Sequence, residues 1–97
     1  MRRPLVFALV MMLGTTAAWA DDIADCDQIK NLDLKIRGCS KLIKLNPNDA
    51  TAYNNRGGAY YRKGDKEQAT ANYRKALEID PSDQEAEINI KLLGATP

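Results

Sequence analysis

Two cysteines, Cys26 and Cys39, are the first candidates for chemistry in this sequence, and they lie 13 residues apart. Four roles are open to them: a metal pair, a redox pair, a disulfide, or two buried thiols that never meet. The chain has no histidine, which removes histidine base catalysis, Ser-His and Cys-His nucleophiles and most zinc sites. The cysteines do not form a Cys-x-x-Cys motif, so thioredoxin-like redox chemistry is not expected.

The other polar residues also lack the arrangement of a catalytic or metal site. Four aspartates fall within residues 21–27, but the glycine and glutamate of a calcium loop are missing, so we interpret them as solvated charge at a helix start. Gly57 and Gly58 lie within a predicted helix and form no phosphate-binding loop. We therefore predict a protein that is not an enzyme and that uses no cofactor and no metal.

Residues 1–20 have the three parts of a secretory signal. Arg2 and Arg3 give a basic start, residues 5–13 form an unbroken apolar run of nine, and AWA at residues 18–20 has the small-x-small pattern of a cleavage site. Nine apolar residues are too few to span a bilayer, which needs about 20. We predict cleavage after residue 20, no stable membrane insertion afterwards, and a location in the Gram-negative periplasm, with the extracellular medium as the alternative.

The chain that remains after this cleavage is nearly neutral. Removal of Arg2 and Arg3 leaves 12 basic against 13 acidic residues in a chain of 77, a net charge of −1. This balance gives no support for nucleic acid or an anionic membrane as a partner. A chain of this size buries only about 60% of its unfolded surface, and small secreted domains often add a disulfide for that reason.

Capping residues predict four helices and a shorter helical segment before them. The predicted helices span residues 33–45, 49–63, 66–79 and 83–93, and residues 21–31 form about two further turns. Asn48, Asp65 and Ser82 are the predicted N-caps of the last three helices. Gln68 and Glu85 follow two of these caps at the spacing of a capping box.

Breaking residues mark the ends of the same helices. Gly64 and Gly94 follow two of them and tolerate a left-handed backbone, whereas Pro47 and Pro81 prevent continuation of the other two. The connections are short, which predicts antiparallel neighbours. No strand alternation is present, so we expect an all-α fold.

The sequence repeats itself at a distance of 34 residues. Residues 36–47 (IRGCSKLIKLNP) align with residues 70–81 (TANYRKALEIDP), so that Pro47 falls on Pro81 and Cys39 on Tyr73. This is the period of a helix-turn-helix repeat. One complete unit, between residues 50 and 83, contains an ordered set of aromatic and small residues: Tyr53, Gly57, Tyr60, Ala69, Tyr73, Ala76 and Pro81.

This ordered set resembles the tetratricopeptide repeat (TPR) family, with one departure at Arg56, where leucine is usual. The resemblance implies antiparallel helix-turn-helix repeats of an α-solenoid, about one and a half repeats followed by a C-terminal capping helix. The expected organisation is a partial hairpin at residues 21–47, a complete unit at 48–81 and a cap with its tail at 82–97. In such a unit, the glycine and the alanines allow the two antiparallel helices to approach each other closely, and the tyrosines fill the space beside this contact.

The resemblance also implies a binding surface, because the first helix of each repeat lines a concave groove in that family. Asn54, Gly58 and Tyr61 recur on one face of the predicted helix at residues 49–63. The predicted groove consists of Thr51, Asn54, Asn55, Gly58, Tyr61, Arg62, Ile88 and Leu92. Asparagine amides suit a peptide backbone, and the arginine suits a carboxylate. The alternative is that this polar surface is simply solvated.

The capping helix offers a second kind of contact. Ala86, Ile90 and Leu93 form the face expected to pack inward, whereas Ile88 and Leu92 lie on another face. A terminal cap is expected to be polar on its outer side, so these two residues predict a groove wall, a cover for the N-terminal segment, or a patch for homo-oligomer formation. The predicted partner is a protein or peptide, with self-association as the alternative.

The repeat register also gives the positions of the two cysteines in the predicted fold. A shift of 34 residues back from Tyr60 and Tyr73 reaches Cys26 and Cys39, so the cysteines replace two tyrosines that the resemblance places opposite each other in a helical hairpin. A turn near residues 31–33 would bring them together, and an oxidising compartment would join them. We predict a disulfide that contributes about 3 kcal/mol in the chain-entropy model, with two buried thiols as the alternative.

Overall fold

The computed structural model describes residues 20–96, and this part of the chain is helical without any strand. Five helices follow one another: α1 (residues 20–27), α2 (Leu32–Leu45), α3 (Ala50–Arg62), α4 (Lys66–Ile79) and α5 (Gln84–Leu92). The predicted signal segment lies outside the described residues except for Ala20. Within residues 20–96, no helix is both long enough and apolar enough to cross a bilayer.

Short polar side chains begin the four longer helices. Asn31, Asp49, Asp65 and Asp83 each accept a hydrogen bond from the backbone N–H three residues ahead, which satisfies one of the free donors of a first helical turn. Only Asp65 is a cap that the sequence predicted, and its helix has the predicted bounds. The carboxylate accepts from the Gln68 N–H at 3.1 Å, although the Asp65 N–H donates to the Tyr60 carbonyl and not to the glutamine side chain.

Two predicted N-caps are wrong by one residue. Asp49 and Asp83, not Asn48 and Ser82, cap α3 and α5. The serine hydroxyl donates to the Asp80 carboxylate at 2.6 Å, so it takes part in the preceding turn. An aspartate directly after the predicted cap is an equally good acceptor, and the start of the helix decides which one is used.

Glycines end α3 and α5 as the sequence predicted. Gly64 has a φ of 88° and Gly94 a φ of 75°, a left-handed conformation that costs little only without a Cβ. Gly64 therefore lets the chain turn from α3 into α4, and consecutive helices from α2 to α5 pack against one another along the array.

The α3–α4 hairpin and α5 share one apolar core. The buried members are Tyr53, Ala69, Tyr73, Ala76, Ala86 and Ile90, with Tyr60, Leu77 and Leu93 packed against them. A Cβ added at Gly57 would lie 2.8 Å from the Cε1 atom of Tyr73, so this glycine lets the tyrosine ring lie directly against α3. Pro81 lies in the exposed turn after α4. Tyr53, Tyr60, Ala69, Tyr73 and Ala76 in this core are residues of the repeat pattern.

Arg56, the departure from the repeat pattern, links three helices. Its Nε donates to Asn72 Oδ1 at 2.7 Å, and its NH1 donates to Ser40 Oγ at 3.2 Å. The guanidinium carbon also lies 5.4 Å from the ring centre of Tyr53, within the range of a cation–π contact. A polar clamp between α2, α3 and α4 thus replaces the apolar contact of a leucine.

The α1–α2 hairpin is closed by a covalent bond. Cys26 and Cys39 form the predicted disulfide, with their Cα atoms 4.5 Å apart and both side chains buried. Next to it, a Cβ added at Gly38 would lie 2.8 Å from the Cys26 nitrogen and 2.9 Å from the Asp22 carbonyl oxygen. The backbones of the two helices therefore approach each other directly at this point.

Candidate protein-interaction surface

The helices α1, α3 and α5 lie side by side, and two depressions separate them. The first, the α1–α3 pocket, has a volume of about 450 Å³. It is lined by Ile23, Cys26, Asp27, Leu42, Leu45, Asn46, Asp49, Thr51, Ala52 and Asn55. The second, the α3–α5 recess, is much smaller, at about 30 Å³, and is lined by Tyr61, Tyr73, Asn89, Leu92 and Leu93.

Four of the eight predicted groove residues line these depressions. Thr51 and Asn55 line the α1–α3 pocket, and Tyr61 and Leu92 line the α3–α5 recess. Gly58 lies on α3 near the hydroxyl of Tyr73, which would be 3.7 Å from an added Cβ. The predicted groove is therefore divided into two depressions and does not form one continuous trough.

Three large apolar side chains are exposed near the recess. Tyr61 is 50% exposed, Ile88 is 56% exposed and Leu92 is 75% exposed. Ile88 is one helical turn before Leu92, whereas Ala86 and Ile90 on the other side of α5 are fully buried. Helix α5 therefore has apolar residues both toward the core and toward solvent, which is unusual for the last helix of an array.

Asn54 belongs to the interior of the molecule and not to the surface on which the sequence placed it. It is only 7% exposed, and its Nδ2 donates to Asp83 Oδ2 at 2.6 Å. Asp83 is also the N-cap of α5, so this hydrogen bond ties α3 to the start of the last helix. The amide nitrogen is used inside the fold, and we leave this residue out of the proposed binding surface.

Asn55 and Arg62 also contact the first hairpin. Asn55 Nδ2 donates to Asp27 Oδ1 at 3.2 Å, and Arg62 NH1 donates to the Ile29 carbonyl at 2.9 Å. Both bonds are exposed, so they are weak and open to exchange with a partner. The first bond joins α3 to α1, and the second joins the end of α3 to the turn that follows α1.

Lys35 of α2 contacts the C-terminal end of α1. It occupies the position that Ala69 takes in the following repeat, and its buried side chain donates from Nζ to the Gln28 carbonyl at 3.2 Å. Burial lowers the pKa of this ammonium, and Arg62 adds to that effect, while Asp27 opposes it. A cation near the last carbonyls of α1 is favourable for the helix dipole, which explains why a lysine is tolerated in a position that usually needs a small residue.

The α1–α3 pocket contains residues that the sequence reasoning missed. Ile23 and Leu45 are 48% and 58% exposed on its walls. The signal was present in the repeat register, because Leu45 aligns with Ile79 in the next unit. Both residues lie in segments that the sequence predicted to be helical, but only the spatial arrangement shows that part of each apolar side chain faces open space.

The fold is that of TPR-like helical repeats, and comparison with known proteins gives this class its name. Residues 50–83 match the family model of the tetratricopeptide repeat, so the chain contains one such repeat, formed by α3, α4 and the turn that follows. The match stops at this unit, in agreement with the less regular first hairpin.

A curated relative supports the same class. Heat shock protein STI1 of Saccharomyces cerevisiae is 34% identical to this chain over 58 residues. The alignment covers 60% of this chain and 10% of the yeast protein, so the chain spans about a tenth of the length of the relative it matches. Tetratricopeptide repeats generally mediate protein–protein interactions.

Proposed function

We propose that this protein is a non-catalytic interaction module that binds a peptide or protein partner on the surface formed by α1, α3 and α5. The observation that carries the proposal is the cluster of exposed apolar side chains Tyr61, Ile88 and Leu92. Exposed apolar side chains that lie close together often mark an interaction site. Tyrosine is also enriched at the centre of protein interfaces, because it combines a large apolar ring with a hydroxyl.

The chemistry around this cluster suits a partner with apolar side chains and a free backbone. Thr51 and Asn55 line the α1–α3 pocket and supply a hydroxyl and, if Asn55 releases the Asp27 carboxylate, an amide for backbone groups. Arg62 supplies donors for a carboxylate if it releases the Ile29 carbonyl. Apolar contacts then provide most of the binding free energy, and the polar residues set the direction of the bound chain.

Site-specific photo-crosslinking in the native host tests this proposal. A photoreactive phenylalanine analogue replaces Tyr61 or Leu92 in two variants, and Glu78 in a third. Glu78 is exposed on α4, the second helix of the repeat, and serves as the matched control. We expect the same partner adduct from the first two positions and none from the third. Equal adducts from all three positions, or adducts only from Glu78, would contradict the proposal.

A second candidate function is assembly through the last helix. Ile88 and Leu92 are the most exposed aliphatic pair on α5, and a second copy of the chain would cover them. Light scattering of the purified protein at tens of micromolar separates this from partner binding. Self-association requires a dimer that is lost in Ile88→Glu/Leu92→Glu while helix content is kept; a strict monomer removes it.

We also propose that the protein acts in the periplasm of a Gram-negative bacterium. The support is the signal-like order of residues 1–20 and a disulfide that suits an oxidising compartment. Cell fractionation with N-terminal sequencing tests this location. We expect a periplasmic chain that begins at Asp21; a cytoplasmic chain that retains Arg2 and Arg3 would contradict it.

A further inference from the structure

The α1–α3 pocket combines aliphatic side chains with two carboxylates. Its aliphatic residues are Ile23, Leu42, Leu45 and Ala52. Of the described residues that line it, only Asp27 and Asp49 carry a charge. Its volume of about 450 Å³ lies within the range of ligand pockets, about 300 to 1,000 Å³. The pocket therefore suits an apolar group that adjoins a positive charge.

The next repeat shows which kind of donor is missing beside Asp49. This residue caps α3, and its Oδ1 accepts from the Ala52 N–H at 3.0 Å. Asp83 holds the equivalent position 34 residues later and caps α5, and its Oδ2 also accepts from Asn54 Nδ2 at 2.6 Å. The residue equivalent to Asn54 is Ala20, whose methyl group offers no donor. Among the residues that the structure describes, Asp49 therefore lacks the side-chain donor that the repeat supplies to Asp83.

Both carboxylates also have room for a cation. Within residues 20–96, neither Asp27 nor Asp49 forms an ion pair. Lys35 and Arg62 are the cations at the C-terminal end of α1, but each donates to a backbone carbonyl there, and neither lines the pocket. A carboxylate has two oxygens that accept several hydrogen bonds, so a cation from outside the chain can pair with either residue.

We propose that the α1–α3 pocket binds a peptide segment of another protein in which a large apolar side chain lies next to a lysine or arginine. The apolar side chain packs against the aliphatic residues of the pocket, and the cation pairs with Asp27 or Asp49. An acidic residue in the same place is repelled, so the pocket selects against acidic segments. This inference rests on the proposed function and names the chemistry of one part of the partner.

Selection from a random peptide library measures this preference without an assumed partner. Short random peptides displayed on phage are selected on the immobilised, oxidised protein, purified from its native host. We expect enriched peptides with a large apolar residue and a lysine or arginine close to it in sequence. Enrichment of acidic peptides, or no enrichment over the empty support, would overturn the proposal. A second copy of the chain that covers the pocket would give no enrichment together with a dimer in light scattering.

Variants that remove charge then assign the bound peptide to the pocket. The most enriched peptide, labelled with fluorescein, is titrated by fluorescence anisotropy against wild type and Asp27→Asn/Asp49→Asn. Asparagine keeps the shape of the side chain and caps a helix as well as aspartate does. The matched control, Asp65→Asn/Glu67→Gln, removes two charges at the start of α4 and also keeps a capping residue. We expect binding about three- to tenfold weaker in the pocket variant and within about twofold of wild type in the control, because exposed ion pairs contribute modestly.

An apolar substitution separates the pocket from the proposed function. Leu45→Asn should weaken binding of the same peptide at least about fivefold, because it removes the most exposed aliphatic side chain of the pocket. Equal affinity of wild type and Asp27→Asn/Asp49→Asn, or an equal loss in the control, would overturn the acidic pocket. Loss of binding in Leu92→Asn with full binding in Leu45→Asn would overturn the pocket inference and leave the proposed function in place. Circular dichroism follows the helix content of each variant.

Discussion

The two helical hairpins of this protein occupy equivalent positions in the repeat register but close in different ways. In the α3–α4 hairpin, Tyr60 and Tyr73 belong to the apolar core, and Gly57 makes room for one of the rings. In the α1–α2 hairpin, Cys26 and Cys39 take the places of the tyrosines and are joined covalently.

The glycine that allows close packing also lies on a different helix in each hairpin. Gly57 lies on the first helix of its hairpin and faces a side chain, whereas Gly38 lies on the second helix of its hairpin and faces backbone atoms of α1. A ring holds two helices apart and fills the space with apolar surface. A disulfide needs little volume, so the helices meet closely and depend on chain connectivity for stability.

The largest expected effect comes from breaking the disulfide. Reduction of the wild type should lower the free energy of unfolding by about 3 kcal/mol, because the closed loop has about 14 residues. The measurement is urea unfolding of the oxidised and reduced protein. The variant Cys26→Ala/Cys39→Ala is the control and should not respond to the reductant. A wild type with the same midpoint in both states would contradict a stabilising role for the bond.

Glycine substitutions compare the two hairpins directly. Gly38→Ala should cost about 2 to 3 kcal/mol, because the new Cβ would meet backbone that cannot move aside, and Gly57→Ala about 1 to 2, because a ring can shift slightly. Gly58→Ala is the matched control in the same helix as Gly57. Its Cβ would have ordinary contacts, so it should be neutral or stabilising by up to about 1 kcal/mol. Thermal unfolding of the three variants checks this order, and a Gly58→Ala loss as large as that of Gly38→Ala would contradict it.

Arg56 joins the two hairpins to each other. Arg56→Leu restores the residue usual in the repeat pattern but leaves the buried Asn72 Oδ1 without its donor, so we expect a loss of about 1 to 2 kcal/mol. A double-mutant cycle with Asn72→Leu should recover part of this loss. If Arg56→Leu alone is more stable than wild type, the polar clamp is not a source of stability.

Alkaline pH should have the smallest effect on stability. We expect this effect to come from Tyr73, an aromatic residue of the second hairpin. Burial raises the pKa of Tyr73, with smaller contributions from Glu85 and Tyr61. A raised pKa in the folded state means that the stabilisation is complete below the ordinary tyrosine pKa near 10 and is lost as the pH rises through the higher folded value. Tyr73→Phe should flatten the loss of stability above about pH 10. An unchanged alkaline limb in chemical unfolding would contradict this cause.

The sequence predicted most of the architecture because the repeat has a strong local signature. The 34-residue register, the left-handed glycines and the cysteine pair all follow from residues whose spacing or backbone freedom is readable in one dimension. The first residue of each helix is harder to predict from the sequence. In Asn48-Asp49 and Ser82-Asp83, either neighbour is a suitable acceptor, and only the path of the chain selects the aspartate.

The candidate surface was harder to predict because its residues have partners far away in sequence. Asn54 binds a residue 29 positions later, and Arg56 binds residues 16 positions away on either side. Spacing along α3 shows that Asn54 lies on the face with Tyr61, but not that α5 begins directly above it. Exposure of Ile88 and Leu92, in contrast, follows from their position opposite the packed face of a last helix.

The bond between Cys26 and Cys39 is tested most directly by intact mass spectrometry of the unreduced protein, purified from its native host and treated with a thiol alkylating agent under denaturing conditions. We predict a mass that is two hydrogen atoms below that of the dithiol chain, with no alkyl adduct, and two adducts only after reduction. Two alkylated thiols before reduction would contradict the disulfide and remove the covalent difference between the two hairpins.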